Sequence, residues 1–172
     1  MNQVARAPLS ATLLVILAGA AVPAAAQTKP DFSGTWAMDM TRSASAVQND
    51  PIPPTTQIIT QTATQLSIET HRGDKTSTIT YRPGSADAMS NATNRSNLLT
   101  SMWYWDGLKL VTETVRDING QTVRTREVRS LDGSAEMSVD TLLVVEHGYS
   151  LRGAQTYGNG KDIYKKIEAG PK

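Results

Sequence analysis

Short pairs of Asn or Asp followed by Gly recur along this sequence and constrain its fold more than any other feature. They stand at Asp106-Gly107, Asn119-Gly120, Asp132-Gly133 and Asn159-Gly160. A type I′ turn needs a positive φ at both central residues, which Asn or Asp followed by Gly adopts at little cost. The segments between the pairs are about 8–12 residues long and rich in Thr and Val, so the spacing predicts a meander of antiparallel strands.

The spacing of these turn pairs predicts nine strand segments, with looser turns at Gly73-Asp74 and His147-Gly148. No sustained apolar repeat of 3.6 residues, the mark of an amphipathic helix, occurs beyond the N-terminal segment. The last strand segment is predicted as one strand, or as two with a turn at Gly158-Asn159-Gly160. The segments lie near 33–39, 56–62, 65–71, 76–82, 98–105, 108–117, 121–130, 134–145 and 150–166.

Two polar stretches interrupt the strand pattern. Residues 42–57 contain three prolines, which central strands do not accept, and are predicted as a long surface loop. Residues 83–97 are predicted as a second loop or a short irregular helix. Several strand segments carry mixed residues on both faces, as in 108–117, where Val111 and Val115 alternate with threonines. A barrel with a roomy, partly polar interior tolerates such mixing better than a dry sandwich does.

The first 26 residues have the composition of a secretory signal peptide. Arg6 is their only charged residue, an apolar run from Leu9 to Ala21 follows, and small residues end at Ala26. We expect cleavage near Ala26, a periplasmic or secreted bacterial protein, and one domain over residues 27–172. The alternative is an uncleaved anchor, but the apolar run is shorter than the ~20 residues of a membrane-spanning helix.

The charge balance and the missing cysteines exclude several kinds of function. The chain has 17 basic and 16 acidic residues, and without Arg6 the two numbers are equal. This balance argues against nucleic-acid binding, which needs a basic face, and against a stable attachment to anionic membranes. The chain has no Cys, which excludes disulfides and thiolate metal sites. No glycine-rich phosphate loop is present, and we expect no cofactor.

The start of the predicted domain carries a resemblance to a known family. Gly34-Thr35-Trp36 is similar to the Gly-X-Trp motif that opens the first strand of lipocalins and related calycin barrels. The resemblance implies that Trp36 closes one barrel end and that Lys165 or Lys166 packs on its ring. We assign Gly34, Trp36 and Lys166 a structural role. The Thr-Asp-Tyr motif and the disulfide of true lipocalins are missing.

The whole chain also resembles small exported bacterial proteins described as lipocalin-like, for which no activity is defined. The shared features are residues 31–36 (DFSGTW), a proline-rich stretch, Trp105-Asp106-Gly107 and Leu131-Asp132-Gly133. Together with the turn spacing, the resemblance implies an all-β fold. We expect a single antiparallel up-and-down β-barrel of about 8–10 strands.

No catalytic constellation is found in the sequence. The two histidines, His71 and His147, lie far apart, each near a glycine of a predicted turn, and no metal-binding spacing surrounds them. Serine occurs in none of the motifs that mark a nucleophile. We expect both histidines in solvated turns, no catalytic residues and no metal site.

The richest aromatic segment of the chain is 101–105, SMWYW. In a strand, Trp103 and Trp105 share one face, and Tyr104 lies on the other. Aromatic rings beside polar groups line small-molecule pockets, but they equally fill cores. As ligand-binding candidates we choose Trp103, Trp105 and Tyr81.

Three functional hypotheses remain at this point. The leading one is a non-enzymatic protein that binds a small, mostly hydrophobic ligand inside the barrel, with the 42–57 loop as a lid. The second is a protein-interaction or inhibitor module that acts through its surface and loops. The third is a hydrolytic enzyme that uses carboxylates with His71 or His147. Ligand identity and oligomeric state do not follow from the sequence.

Overall fold

The protein is a closed β-barrel of nine strands joined in chain order, with β9 returning to pair with β1. The computed structural model describes residues 28–46, 53–85, 100–118, 120–133, 135–146 and 155–168, and no helix occurs among them. The strands are β1 (Gly34–Met38), β2 (Thr55–Gln61), β3 (Leu66–Arg72), β4 (Lys75–Pro83), β5 (Thr100–Asp106), β6 (Lys109–Ile118), β7 (Gln121–Asp132), β8 (Glu136–Glu146) and β9 (Gln155–Ile167). The predicted all-β barrel and its strand number are confirmed.

The glycine turns form where the sequence predicts them. Gly73, Gly107, Gly120 and Gly133 have φ values between 58° and 78°, the left-handed region that favours glycine. The predicted signal peptide and the His147-Gly148 turn lie outside the described residues. In the described part of the chain, no helix is long and apolar enough to cross a membrane.

One predicted turn is wrong: Asn159-Gly160 lies inside β9, which continues without a break to Ile167. The reason is a contact with residues 44–46, which we call the strap. Ala44 and Lys161 exchange two backbone hydrogen bonds of 2.8 Å. A Cβ atom at Gly160 would overlap the backbone nitrogen of Ala46 and lie 2.7 Å from the Ala44 carbonyl oxygen. Glycine is therefore needed at position 160 because the backbone of the strap passes directly against it. In the sequence, a glycine required for this reason looks the same as a glycine required for a turn.

The strap also corrects the prediction of a surface loop over residues 42–57. Ser45 is buried, and its hydroxyl donates a hydrogen bond of 3.0 Å to Asp162 Oδ2. At the other end of the predicted loop, Thr55 and Gln57 belong to β2 and are also buried. Residues 47–52 lie outside the described part of the chain.

A second departure concerns β4 and β5, which are parallel rather than antiparallel. They pair at Arg82 with Met102 and at Pro83 with Trp103, and the Gly84 N–H donates to the Trp103 carbonyl at 2.9 Å. Parallel neighbours need a connection that crosses back from one barrel end to the other. The predicted polar stretch 83–97 falls on this connection, of which residues 86–99 lie outside the description.

The barrel has two unlike ends. At the end where β1 begins and β9 finishes, which we call the filled end, the N-terminal residues plug the interior. Phe32 is fully buried there, and its carbonyl accepts a hydrogen bond of 2.9 Å from Trp36 Nε1. Other buried side chains of this core include Ile59, Leu66, Trp103, Leu110, Met137 and Tyr164. The opposite end, with the turns at Gly73 and Gly120, is the hollow end.

Candidate functional site

The hollow end encloses a cavity of about 670 Å³. Successive side chains of a strand point to opposite faces, so the lining comes mostly from alternating residues of β3, β4, β6 and β7, with one residue each from β2 and β8. The lining residues are Gln57, Ile68, Thr70, Arg72, Lys75, Thr76, Ser77, Ile79, Tyr81, Thr112, Thr114, Arg116, Ile118, Val123, Thr125, Glu127, Arg129 and Leu143. The walls thus combine aliphatic and threonine side chains with several charged groups.

Strand β6 shows why the sequence pattern is mixed. Its residues Leu110 to Val115 are all buried, whichever face they occupy. Thr112 and Thr114 face the cavity, whereas Val111 and Val115 face outward. The inward positions are therefore polar where the cavity lies and apolar, at Leu110, where the core begins. This matches the partly polar interior that the mixed faces predict.

Arg129 is the most deeply buried charge in the cavity wall, with 1% of its side chain exposed. Its Nη1 donates to Thr112 Oγ1 at 2.7 Å, and its Nη2 donates to Glu127 Oε2 at 2.8 Å. Burial is the largest single influence on Glu127 and raises its pKa. The charge and hydrogen bond of Arg129, with smaller contributions from Thr112 and Arg72, together outweigh it and hold that pKa below its usual value. The carboxylate and the guanidinium therefore stay charged and neutralise each other.

Arg72 is a partly buried cation of a different kind. Its guanidinium makes no hydrogen bond or ion pair with the described residues, and its Nε is buried. Its charge helps to lower the pKa of Glu127, which shows that it faces the same interior. Lys75 and Arg116 add two more cations to the lining, where Glu127 is the single acid among the described residues. The cavity therefore carries a surplus of positive charge.

Two buried acceptors complete the polar part of this end. Gln57 Oε1 and Asp162 Oδ1 have no hydrogen-bond partner in the described part of the chain. Burial raises the pKa of the Asp162 carboxyl, and the hydrogen bond from Ser45 opposes this rise. Burial likewise raises the pKa of Tyr81 to about 12, so its phenol stays neutral in the cavity wall.

The predicted ligand-binding residues lie in two places. Tyr81 lines the cavity of the hollow end. Trp103 and Trp105 lie at the filled end, where their rings meet edge to face with centroids 6.1 Å apart. They line a separate cavity of about 520 Å³ near Pro83 and Gly84. The structure therefore does not bring the three aromatic side chains into one site.

The predicted structural residues meet at the filled end. Lys166 Nζ lies 5.3 Å from the centroid of the Trp36 ring, the contact that the lipocalin resemblance implies. Gly34 has a φ of 133°, and a Cβ atom there would lie 2.7 Å from Lys166 Cε. Glycine at position 34 thus lets the lysine stem pass over the strand to reach the ring.

The histidines form no site in the described structure. His71 lies within β3, not in a turn as predicted, and its imidazole contacts Glu69 and Thr76 near the rim of the hollow end. It does not line the cavity, which removes the version of the hydrolytic hypothesis that uses His71 at the cavity base. His147 lies outside the described residues, and among those described no three acidic or histidine side chains are placed to hold a metal ion.

The sequence reasoning missed the cavity charges Arg72, Glu127 and Arg129. Charged residues on strands are usually solvated, so each looked like a surface residue. A signal was present in the alternation: Glu127 and Arg129 are in phase with Leu131, which packs against the core. Three residues in phase, two of them charged, indicate an inward-facing ion pair.

These features define a lipocalin-like barrel: a closed, single-layer β-barrel that is plugged by an N-terminal tryptophan and hollow at the other end. No family model and no curated protein matches the sequence. Solved structures with a similar fold include a secretary abundant heat soluble (SAHS) protein from Ramazzottius varieornatus, with a TM-score of 0.52, 10% identity, and coverage of 79% of this chain and 95% of that one. Another is human cRBP IV, with a TM-score of 0.51, 12% identity, and coverage of 80% and 99%. At these identities the likeness concerns the fold.

Proposed function

We propose that the hollow end binds a small, mostly apolar molecule that carries a negatively charged group, without catalysis. One observation carries the proposal: a cavity of about 670 Å³ with aliphatic walls also holds the unpaired, partly buried guanidinium of Arg72. Cavities of ~300–1,000 Å³ with a few placed polar groups are typical ligand sites. A buried charge without a partner is costly, and an anionic ligand group offsets that cost.

The division of charge in the lining favours an anion over a cation. Arg129 is already neutralised by Glu127, so it does not need a ligand for charge balance. Arg72, Lys75 and Arg116 form no ion pair with the described residues of the lining, although the charge of Arg72 also acts on Glu127 and on the buried Asp162. The apolar part of the ligand then contacts side chains such as Ile68, Ile79 and Leu143, and burial of that part supplies most of the affinity.

Two fluorescent dyes with the same ring system test the charge preference. Anilinonaphthalene sulfonate is anionic, whereas N-phenylnaphthylamine lacks the sulfonate. We expect the protein to bind the sulfonate at least about tenfold more tightly, as one charge-assisted contact allows. Arg72→Met should abolish this ratio. The matched control is Arg82→Met on the exposed outer side of β4, which should keep it. Equal affinities in the wild-type protein would contradict an anion site.

The place of binding is tested by filling the cavity. Thr125 faces the cavity and Thr122 lies on the outer face of the same strand, β7. We expect Thr125→Phe to weaken dye binding strongly and Thr122→Phe to leave it intact. If both variants bind the dyes like the wild-type protein, binding occurs on the surface. That result would favour the second hypothesis, an interaction module acting through its surface and loops.

We also propose that residues 1–26 direct export to the periplasm or the medium and are then removed. The support is their composition: one charge, an apolar run and small residues up to Ala26. Expression of the full chain in a Gram-negative host, followed by mass measurement of the protein in the periplasmic fraction, tests this. A mass that corresponds to a start at Gln27 is expected, and an intact N-terminus in the membrane fraction would contradict it.

A further inference from the structure

Unpartnered polar atoms are concentrated at the hollow end of the barrel. In the described part of the chain, five buried side-chain nitrogen or oxygen atoms lack a hydrogen-bond partner, and one of them, Trp103 Nε1, lies at the filled end. The other four belong to inward-facing residues, which we call the floor residues: Gln57, Arg72, Arg129 and Asp162. Each buried polar group without a partner is destabilising, so the three that belong to cavity-lining residues, Gln57, Arg72 and Arg129, call for an explanation from the ligand.

The floor residues include both hydrogen-bond donors and hydrogen-bond acceptors. Arg72 Nε and Arg129 Nε are donors, whereas Gln57 Oε1 and Asp162 Oδ1 are acceptors. A carboxylate at neutral pH accepts hydrogen bonds but donates none. A simple anionic group therefore accepts from Arg72 but leaves the acceptor of the cavity-lining Gln57 without a partner.

We infer that the polar end of the ligand combines an acidic group with a hydrogen-bond donor, such as a hydroxyl or amino group on the neighbouring carbon. The inference rests on the proposed function and narrows its substrate class to α-hydroxy or α-amino acids with an apolar tail. The acidic group accepts from Arg72, and the neighbouring donor is directed to Gln57 Oε1.

The register of β2 and β3 places these two groups within reach of one small head group. Thr55 pairs with Arg72 and Gln57 pairs with Thr70, so Gln57 and Arg72 are diagonal neighbours. Both side chains face the cavity. Diagonal pairs have Cα atoms ~7–8 Å apart, and two long side chains at that distance can converge on adjacent atoms of a ligand.

Gln57 is the better acceptor for this role. Gln57 lines the cavity, whereas Asp162 is not among the lining residues. Asp162 also has its other oxygen occupied by the hydroxyl of Ser45, which ties the strap to β9. We therefore assign recognition of the donor to Gln57 and a role in holding the strap to Asp162.

Two ligands that differ by one hydroxyl test the inference. Dodecanoic acid and α-hydroxydodecanoic acid are titrated against bound anilinonaphthalene sulfonate. We expect the hydroxy acid to displace the dye at about a tenfold lower concentration, since one hydrogen bond to a buried acceptor corresponds to roughly that factor. This comparison uses the wild-type protein and does not depend on the folding of a variant.

A substitution then locates the acceptor. Gln57→Met keeps the side-chain volume but removes the acceptor, so the displacement ratio should fall to about one. The control Thr56→Val changes the adjacent outward-facing residue of β2 and should keep the ratio. Because Gln57→Met also removes an unpartnered buried oxygen, we expect the ligand-free variant to melt at the same or a higher temperature than the wild-type protein. A tenfold ratio that survives Gln57→Met would overturn the assignment.

The failure of this inference and that of the proposed function give different results. If both acids displace the dye at equal concentrations, the donor requirement is wrong and the anion site stands. If neither acid displaces the dye and the neutral dye binds as tightly as the sulfonate, the proposed anion site itself is wrong.

Discussion

The two ends of the barrel are built from the same strands, but the interior of one is packed and the interior of the other is hollow. At the filled end, inward positions hold large apolar side chains such as Trp36, Leu110 and Met137, all fully buried. A few residues further along such strands, inward positions hold Thr112 and Glu127, and a cavity takes the place of the core. The difference shows that one barrel separates the residues that form its packed core from those that line its cavity.

This separation explains how the chain tolerates unpaired polar groups. The described chain has no disulfide, so the packed end and the closed hydrogen-bonding pattern must provide the stability. Large buried side chains contribute ~1.5–3 kcal/mol each. That contribution can offset the cost of a cation such as Arg72 at the hollow end. The comparison predicts that substitutions at the filled end reduce stability and those at the hollow end alter binding.

The strongest test of the comparison is truncation at each end. Trp36→Ala removes a fully buried ring from the filled end and should lower the free energy of unfolding by about 3–5 kcal/mol. Ile118→Ala, at the rim of the cavity and about half exposed, should change it by less than ~0.5 kcal/mol. Urea unfolding followed by fluorescence of the remaining tryptophans measures both. Similar losses at the two ends would refute the division of roles.

Tyr81 lies where the two ends meet, and its ionisation tests how well that boundary is sealed. Burial raises its pKa from 10.0 to about 12. Because the buried form is neutral, its stabilising effect is complete below pH 10 and is lost as the pH rises from 10 to about 12. Two pKa units correspond to about 2–3 kcal/mol. Alkaline titration of stability should show this loss in the wild-type protein and a smaller one in Tyr81→Phe. Equal losses would mean that solvent reaches the phenol.

The turns and the barrel were predictable because their signals are local. A glycine with positive φ, as at Gly107 or Gly133, is required by the few residues around it, so the sequence alone identifies it. The filled end was accessible through a resemblance, which pointed to Trp36 and Lys166. Strand alternation did the rest, because it fixes which side chains share a face.

The missed features depend on contacts between distant parts of the chain. Gly160 was predicted as a turn residue, but the strap that requires it lies more than a hundred residues earlier. Arg72 and Arg129 were passed over because an inward-facing charge is recognised only when the closed barrel fixes which face is interior. The candidate site was therefore predictable as a barrel lumen and as Tyr81, but not as its charged groups.

The next prediction tests whether the strap packs tightly against β9. Gly160→Ala places a Cβ atom against the backbone of Ala46, and we expect a loss of about 1–3 kcal/mol, the usual cost of overpacking. Displacement of the strap should also break the bond from Ser45 to Asp162 and alter dye binding. The control is Ser45→Ala, which removes that bond but keeps the strap backbone. Unchanged stability in Gly160→Ala would show that the strap is not held against β9.

The smallest expected effect concerns Lys166, whose charged group lies over the Trp36 ring at the filled end. Lys166→Met keeps the aliphatic stem over Gly34 but removes the charge from the Trp36 ring, and we expect a loss of about 0.5–1 kcal/mol. Lys29→Met removes a similar cation from the Trp105 ring, at 5.5 Å, together with a hydrogen bond of 2.7 Å to the Gly107 carbonyl. The two variants, compared by urea unfolding at low and high salt, separate ring attraction from general charge effects. Neither substitution should change the ratio of dye affinities, because both lysines lie at the end opposite the cavity. A change in that ratio would show that the two ends are coupled.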